Sequence, residues 1–327
     1  MLMTKKYFFL LSIFFFLLSC KDGKKTETTT TETKKVEIPS FNEDSAFAYV
    51  KKQVDFGPRV PGSKSHANCA DYFVSTLKKF GASVFVQEGK VTTFDGKSYN
   101  LKNIIASFEP KATKRVMFAA HWDTRPFADQ DTKDKDKAID GANDGASGAG
   151  VLLEMARQFS LKNPSVGVDL FFFDLEDYGQ PEDSKYPEMK DSYCLGSQYW
   201  AKNPPMANYH PQYGVLLDMV GGENVFFTQE EVSRTFAPQV LEYVWQKAAA
   251  AGYSSNFSYE HTGAIVDDHY YVNMIANIPM VDLIHHDAGS MSGFWKHWHT
   301  HNDKLENIDK KSLKVVGQTL MELSYSE

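Results

Sequence analysis

Cysteine is nearly absent from this chain, with three residues among 327, at positions 20, 69 and 194. None stands in C-x-x-C spacing, which argues against a thiolate zinc site of the finger or ribbon kind. An excess of positive charge is also missing. Lys and Arg total 35 against 42 Asp and Glu, a formal charge of -7, and no basic stripe with interleaved aromatics occurs. That balance argues against a nucleic-acid partner. No internal repeat recurs. The long apolar run, Tyr7 to Leu18, is too short and too near the N-terminus for a membrane-spanning helix.

That run follows Lys5-Lys6 and ends in Leu17-Leu18-Ser19-Cys20, which resembles a bacterial lipoprotein signal with Cys20 as the lipidated residue. Residues 1–20 are therefore expected to be a signal peptide. The protein is expected to be exported and lipid-anchored through Cys20 in the cell envelope, facing the periplasm or the surface. Residues 21–38 read as a flexible polar tether, because Lys21 to Lys35 is rich in Thr, Lys and Glu and nearly free of apolar side chains. Residues 39–327 read as a single α/β domain. Cys69 and Cys194 belong to it; export permits a disulfide between them, and two buried free thiols are the alternative.

Within the domain, 42% hydrophobic and 14% aromatic composition over the whole chain supplies an ample core. Helices are expected at Ser45–Val54, around Ala70, Phe73, Val74 and Leu77 with Gly81 as the stop, at Ala146–Phe159 and at Pro238–Ala251. Strands are expected at Ser83–Val86, Asn103–Phe108, Val116–Ala120, Val168–Phe173, Val215–Leu217 and Pro279–Ile284. Alternating strands and helices predict a three-layer α/β sandwich with a mixed, largely parallel central sheet. The charged run Asp129–Lys137 reads as a solvated loop.

Three of these strands run toward metal-capable side chains. Val116–Ala120 leads into His121-Trp122-Asp123, Val168–Phe173 toward Glu176-Asp177, and Val215–Leu217 into Asp218. Open α/β sheets build their sites beyond such strand ends. Asp144 sits in a small-residue loop, Gly141 to Gly148, where backbone and metal can approach closely. His297-Trp298-His299-Thr300-His301-Asn302-Asp303 follows late in the chain. Each residue alone has a plain reading: His121 as a hydrogen-bonded core histidine, Asp144 as a helix cap, Asp218 as a turn residue. Together they suit zinc, which takes mixed His and carboxylate ligands and in catalytic sites keeps one position open. The adjacent acids Glu176 and Asp177 can then divide the work, one gripping metal and one moving protons.

The stretch from Phe56-Gly57-Pro58-Arg59-Val60-Pro61-Gly62-Ser63 to Leu305-Glu306-Asn307-Ile308-Asp309 resembles the zinc peptidases and cyclases of the M28 type. Phe56-Gly57-Pro58-Arg59, His121-Trp122-Asp123-Thr124-Arg125-Pro126, Asp267-Asp268-His269 and Trp298-His299-Thr300 narrow the resemblance to glutaminyl-peptide cyclotransferases, in particular the bacterial type similar to the animal enzymes. The resemblance implies a zinc aminopeptidase-like fold, with Asp144, Asp177 and His299 holding one zinc ion. It makes Glu176 the general acid/base, Asp218 and Asp267 a hydrogen-bonded acid network beside it, and Trp298 a wall for the substrate side chain. The animal enzymes have Glu-Glu where this chain has Glu176-Asp177. The implied substrates are peptides and proteins with N-terminal glutamine, converted to pyroglutamate with release of ammonia. A competing reading is a two-zinc aminopeptidase, in which His121 and Asp218 complete a second metal set and Asp144 bridges. A third, a tethered binding protein with a degenerate site, predicts a lost ligand or base, and none is missing.

Overall fold

The computed structural model describes residues 37–326. The expected signal peptide, its Cys20 and nearly all of the expected tether lie outside the described residues. Of the expected tether, Ile38 is described and packs against the core.

Helix α1 (Glu43–Val54) starts where Asn42 accepts the Ser45 N–H, two residues before its expected start. Helix α2 (Lys64–Lys79) is capped by Ser63 and ends at Gly81, whose φ of +86° favours glycine. A long hairpin follows, β1 (Ser83–Thr92) and β2 (Ser98–Phe108), then β3 (Arg115–His121), α3 (Ala146–Leu161), β4 (Gly167–Phe173), α4 (Leu195–Lys202) and β5 (Gly214–Asp218). The last part holds β6 (Phe227–Gln229), α5 (Glu231–Phe236), α6 (Pro238–Ala250), β7 (Phe257–His261) and α7 (Asp268–Tyr271), which runs into a π-helical turn. Strand β8 (Met280–Ile284) and helix α8 (Lys310–Tyr325) close the chain.

Six strands form one sheet in the order β1-β2-β4-β3-β5-β8. The run β4-β3-β5-β8 is parallel throughout, and β1 and β2 join antiparallel at one edge. Strands β6 and β7 pair separately. The central strands are buried on both faces, and their side chains alternate between two cores. Val116, Phe118, Ala120, Val168, Leu170 and Phe172 meet the larger core with helices α1, α2, α3, α6 and α8. Met117, Ala119, Phe171 and Phe173 meet Trp200 of α4 and Val272 on the other side. This is the expected three-layer arrangement.

Strand β3 has β4 on one side and β5 on the other, so the connections diverge from it. Such a switch point opens a crevice at the carboxyl ends of the strands. His121, Glu176-Asp177 and Asp218 all emerge there.

Candidate metal centre

Two donor sets share Asp144. In one, Asp144, Asp177 and His299 offer ligand atoms that all lie within 4.8 Å of one another; in the other, His121, Asp144 and Asp218 do the same. His299 Nε2 is 3.2 Å from Asp177 Oδ1 and 3.7 Å from Asp144 Oδ2. Tetrahedral zinc with ligands at about 2.0–2.1 Å separates its donors by about 3.4 Å, so this set has the right span. Asp144 Oδ2 and Asp177 Oδ2 are buried without a hydrogen-bond partner, the condition expected of atoms reserved for a cation. The residues fit zinc. In the second set His121 Nε2 lies 3.0 Å from Asp144 Oδ1 and hydrogen-bonds Asp218 Oδ1 at 3.3 Å.

The backbone around these donors is tightly specified. Asp144 is no helix cap: α3 begins after Gly145, which makes no side-chain cap bond. Gly145 has φ +86°, and a Cβ there would meet Asp123 O at 2.8 Å and His121 Cε1 at 3.0 Å. Glycine therefore lets the loop close against His121. Asp303 accepts the backbone N–H groups of Asn143 (2.7 Å) and Asp144 (3.0 Å), fixing the loop from the far end of the chain. Asp123 does the same for Glu176 (3.1 Å) and Asp177 (3.2 Å). Arg59, fully buried, donates to the carbonyls of Asp140 and Gly141, so this residue supports the loop and does not line the pocket. Leu175, Cys194, Met219 and His299 all adopt left-handed φ between +48° and +58°. Such strain in non-glycine residues clusters at functional sites.

Residues 132–137 form the expected solvated loop, but Asp129 at the start of the run departs from that reading. Arg125 grips it through Nε–Oδ1 (2.6 Å) and Nη2–Oδ2 (2.9 Å), and Asp129 Oδ1 lies 3.3 Å from His299 Nδ1. Arg125 Nη1 also reaches Asp177 Oδ1 at 3.3 Å. One arginine thus steadies two donors of the set, directly and through Asp129. Asp123, Asp129, Asp303 and Cys194 were not among the expected site residues. Asp123 and Asp303 stood in the motifs His121-Trp122-Asp123 and His297 to Asp303 without an assigned role, and the i, i+4 spacing of Arg125 and Asp129 was a local signal for Asp129.

Glu176 points into a cavity of about 300 Å³ lined also by Asp267, Trp298, Phe294, Ile265 and Tyr193. Trp298 stacks on His299 with ring centroids 3.9 Å apart and forms part of the apolar wall. Burial pushes the Glu176 carboxyl well above the usual range; His121 opposes this, while Asp267, Asp177 and Asp268 add to it. Burial, and then Asp218, raises Asp267 to about 7. Burial and Asp144 raise Asp218 against the pull of its His121 hydrogen bond. His121 is held well above the usual histidine range because Asp123, Asp144 and Asp218 outweigh its burial. The structure corrects the expected hydrogen-bonded acid network: among the described residues no hydrogen bond joins Glu176 to Asp218 or Asp267, and the acids act on one another through their fields. Cys69 and Cys194 are free and buried, and no disulfide joins them.

An imidazole and two carboxylates, buried beside an acid at the carboxyl edge of a parallel sheet, define a zinc-dependent enzyme site. The chain belongs to peptidase family M28, whose model matches residues 103–324. Over 80% of its length it is 25% identical to a glutaminyl-peptide cyclotransferase of Bos taurus, covering 76% of that protein. A solved Tannerella forsythia glutaminyl cyclase is 47% identical with a TM-score of 0.86, over 88% of this chain and 100% of that one. A Zn-dependent exopeptidase from Parabacteroides distasonis is 49% identical with a TM-score of 0.87, over 89% and 100%.

Proposed function

We propose that this chain is a zinc-dependent glutaminyl-peptide cyclotransferase, which converts N-terminal glutamine of peptides and proteins to pyroglutamate and releases ammonia. The observation that carries this reading is the zinc-sized donor set Asp144, Asp177 and His299 beside the buried Glu176 carboxyl, in one cavity with Trp298. Asp144 Oδ2 and Asp177 Oδ2 are buried without hydrogen-bond partners, and His121 hydrogen-bonds Asp218 Oδ1. On this reading one zinc ion is held by Asp144, Asp177 and His299, with His121 and Asp218 retained as a hydrogen-bonded pair. The similar glutaminyl cyclases point the same way.

When bound, zinc supplies Lewis acidity toward a carbonyl oxygen. The chain's own residues do the rest. The apolar wall of Trp298, Phe294 and Ile265 packs the glutamine side chain so that the α-amine faces its own γ-carbonyl carbon. Glu176 takes a proton from the amine as the new C–N bond forms. It delivers that proton to the amide nitrogen as the old C–N bond breaks, and ammonia leaves. A carboxyl whose proton affinity is raised by burial and by Asp267 suits both halves of that exchange.

Zinc-loaded protein is offered a glutamine-initiated and a leucine-initiated peptide, with bound zinc counted. Ammonia release from an otherwise intact chain, with one zinc per protein, is the expected result. Free leucine and two zinc ions would mean the aminopeptidase reaction instead.

The cellular setting is a second part of the proposal. Lys5-Lys6, the apolar run to Leu18 and Leu17-Leu18-Ser19-Cys20 support export and lipid attachment at Cys20. Mass spectrometry of the protein from its native membranes should find a lipid-modified Cys20 at the N-terminus; an unmodified or uncleaved N-terminus would refute it.

A further inference from the structure

The thiol of Cys194 belongs to no disulfide and has no part in the reaction as described above, yet it lies against the acid that moves the proton. Its Sγ donates to Glu176 Oε1 at 3.2 Å and lies 4.0 Å from Asp267 Oδ1. Among the described residues it is the side chain that hydrogen-bonds the Glu176 carboxylate; His121 Nδ1 stands off at 3.8 Å from the other oxygen.

The backbone holds the thiol in this place. Cys194 N donates to Glu176 O at 2.8 Å and Leu195 N to Leu175 O at 2.9 Å, pairing the two segments in register. Both Leu175 and Cys194 have left-handed φ, +51° and +58°. Cys194 also occupies the cap position of α4, where a polar side chain normally turns back to the helix, but its side chain makes no cap bond. The S–H is aimed at Glu176 instead.

We propose that Cys194 is a positioning residue for the proton transfer: its thiol donates to Glu176 Oε1, fixes the carboxylate rotamer and leaves the other oxygen for the substrate amine. The inference rests on the reading of Glu176 as the proton-transfer group. Burial, and then the neighbouring acids, push the thiol well above its usual range, so it keeps the proton it donates. Serine would preserve a donor at the same place, whereas alanine would remove it.

The test compares wild type, Cys194→Ala and Cys194→Ser on a glutamine-initiated peptide, with zinc content and Tm recorded for each and Cys69→Ala as a buried-thiol control. Cys194→Ala should lower kcat about tenfold, the scale of one hydrogen bond. Its KM should stay within about twofold and its zinc should be unchanged, because the change acts on proton transfer rather than on binding. Cys194→Ser should recover most of the kcat, and Cys69→Ala should turn over like wild type. Equal kcat in all four proteins overturns the inference, as does an equal loss in the Ala and Ser variants. An inactive wild type overturns the cyclase reading and this inference with it. A measurement independent of folding of the alanine variant is the S–H stretching band of wild type against Glu176→Gln. The band should move when the carboxyl acceptor is replaced by an amide, and an unmoved band also overturns the inference.

Discussion

Arg125 holds Asp129 with two parallel contacts, Nε to Oδ1 at 2.6 Å and Nη2 to Oδ2 at 2.9 Å, and this pair stands behind the zinc donors. Asp129 faces His299 Nδ1 while Arg125 reaches Asp177. Removing such supporting partners weakens metal affinity by about 10- to 100-fold in zinc enzymes. Asp129→Ala should therefore release zinc to a competing chelator at correspondingly lower chelator strength, with an unchanged circular dichroism spectrum. Arg125→Lys should do likewise, since an ammonium cannot reproduce the two-pronged grip. Unaltered zinc affinity in both would mean that the pair supports the fold alone.

Asp303 carries a different load. Its carboxylate satisfies two buried backbone N–H groups, those of Asn143 and Asp144, and Asp303 itself is fully buried. Asp303→Ala strands both donors at a cost of about 1–3 kcal/mol each. Chemical denaturation should show a loss of about 2–6 kcal/mol, with Asp303→Asn intermediate because one acceptor oxygen remains. A loss below about 1 kcal/mol would mean that the loop finds other partners.

His285 sets an acid limit on stability away from the zinc donors. Burial, with some help from His286 and against Asp287, lowers its pKa to about 4. The unfolded chain takes up the proton near the ordinary histidine value of about 6.5, before the folded one does. Its contribution is thus fully present above about pH 6.5 and is lost as pH falls from there toward 4. Unfolding free energies at pH 7 and pH 5 should differ by less in His285→Asn than in wild type. An identical difference would show that His285 does not titrate in this way.

The sheet was largely legible because its central strands are buried on both faces and read as short apolar runs. The expected β3, β4, β5 and β8 each lie within a residue or two of their observed ends. The hairpin was harder: β1 was expected only to Val86 but runs to Thr92, since its outer half alternates exposed and half-buried residues and looks like loop. Helix α8 and helix α4 went unread, the latter because it is eight residues long and begins at a cysteine without a cap bond. In the site, His121, Glu176, Asp177 and Asp218 announced themselves by following strands. Most of their supports did not, because they act across long sequence separations; Arg125 and Asp129, four residues apart, are the exception. Asp303 bonds Asp144 from 159 residues away, and Asp123 bonds Glu176 from 53. Periodicity carries no trace of such pairings.

The division of labour within Glu176-Asp177 is the centre of the account, and zinc content measured beside turnover in two variants tests it. Glu176→Gln should keep one zinc per chain and lose about 100-fold or more in kcat on a glutamine-initiated peptide. Asp177→Ala should lose the zinc together with the activity. Zinc lost from the Glu176 variant and kept by the Asp177 variant would contradict the account, because the two acids would then have exchanged roles.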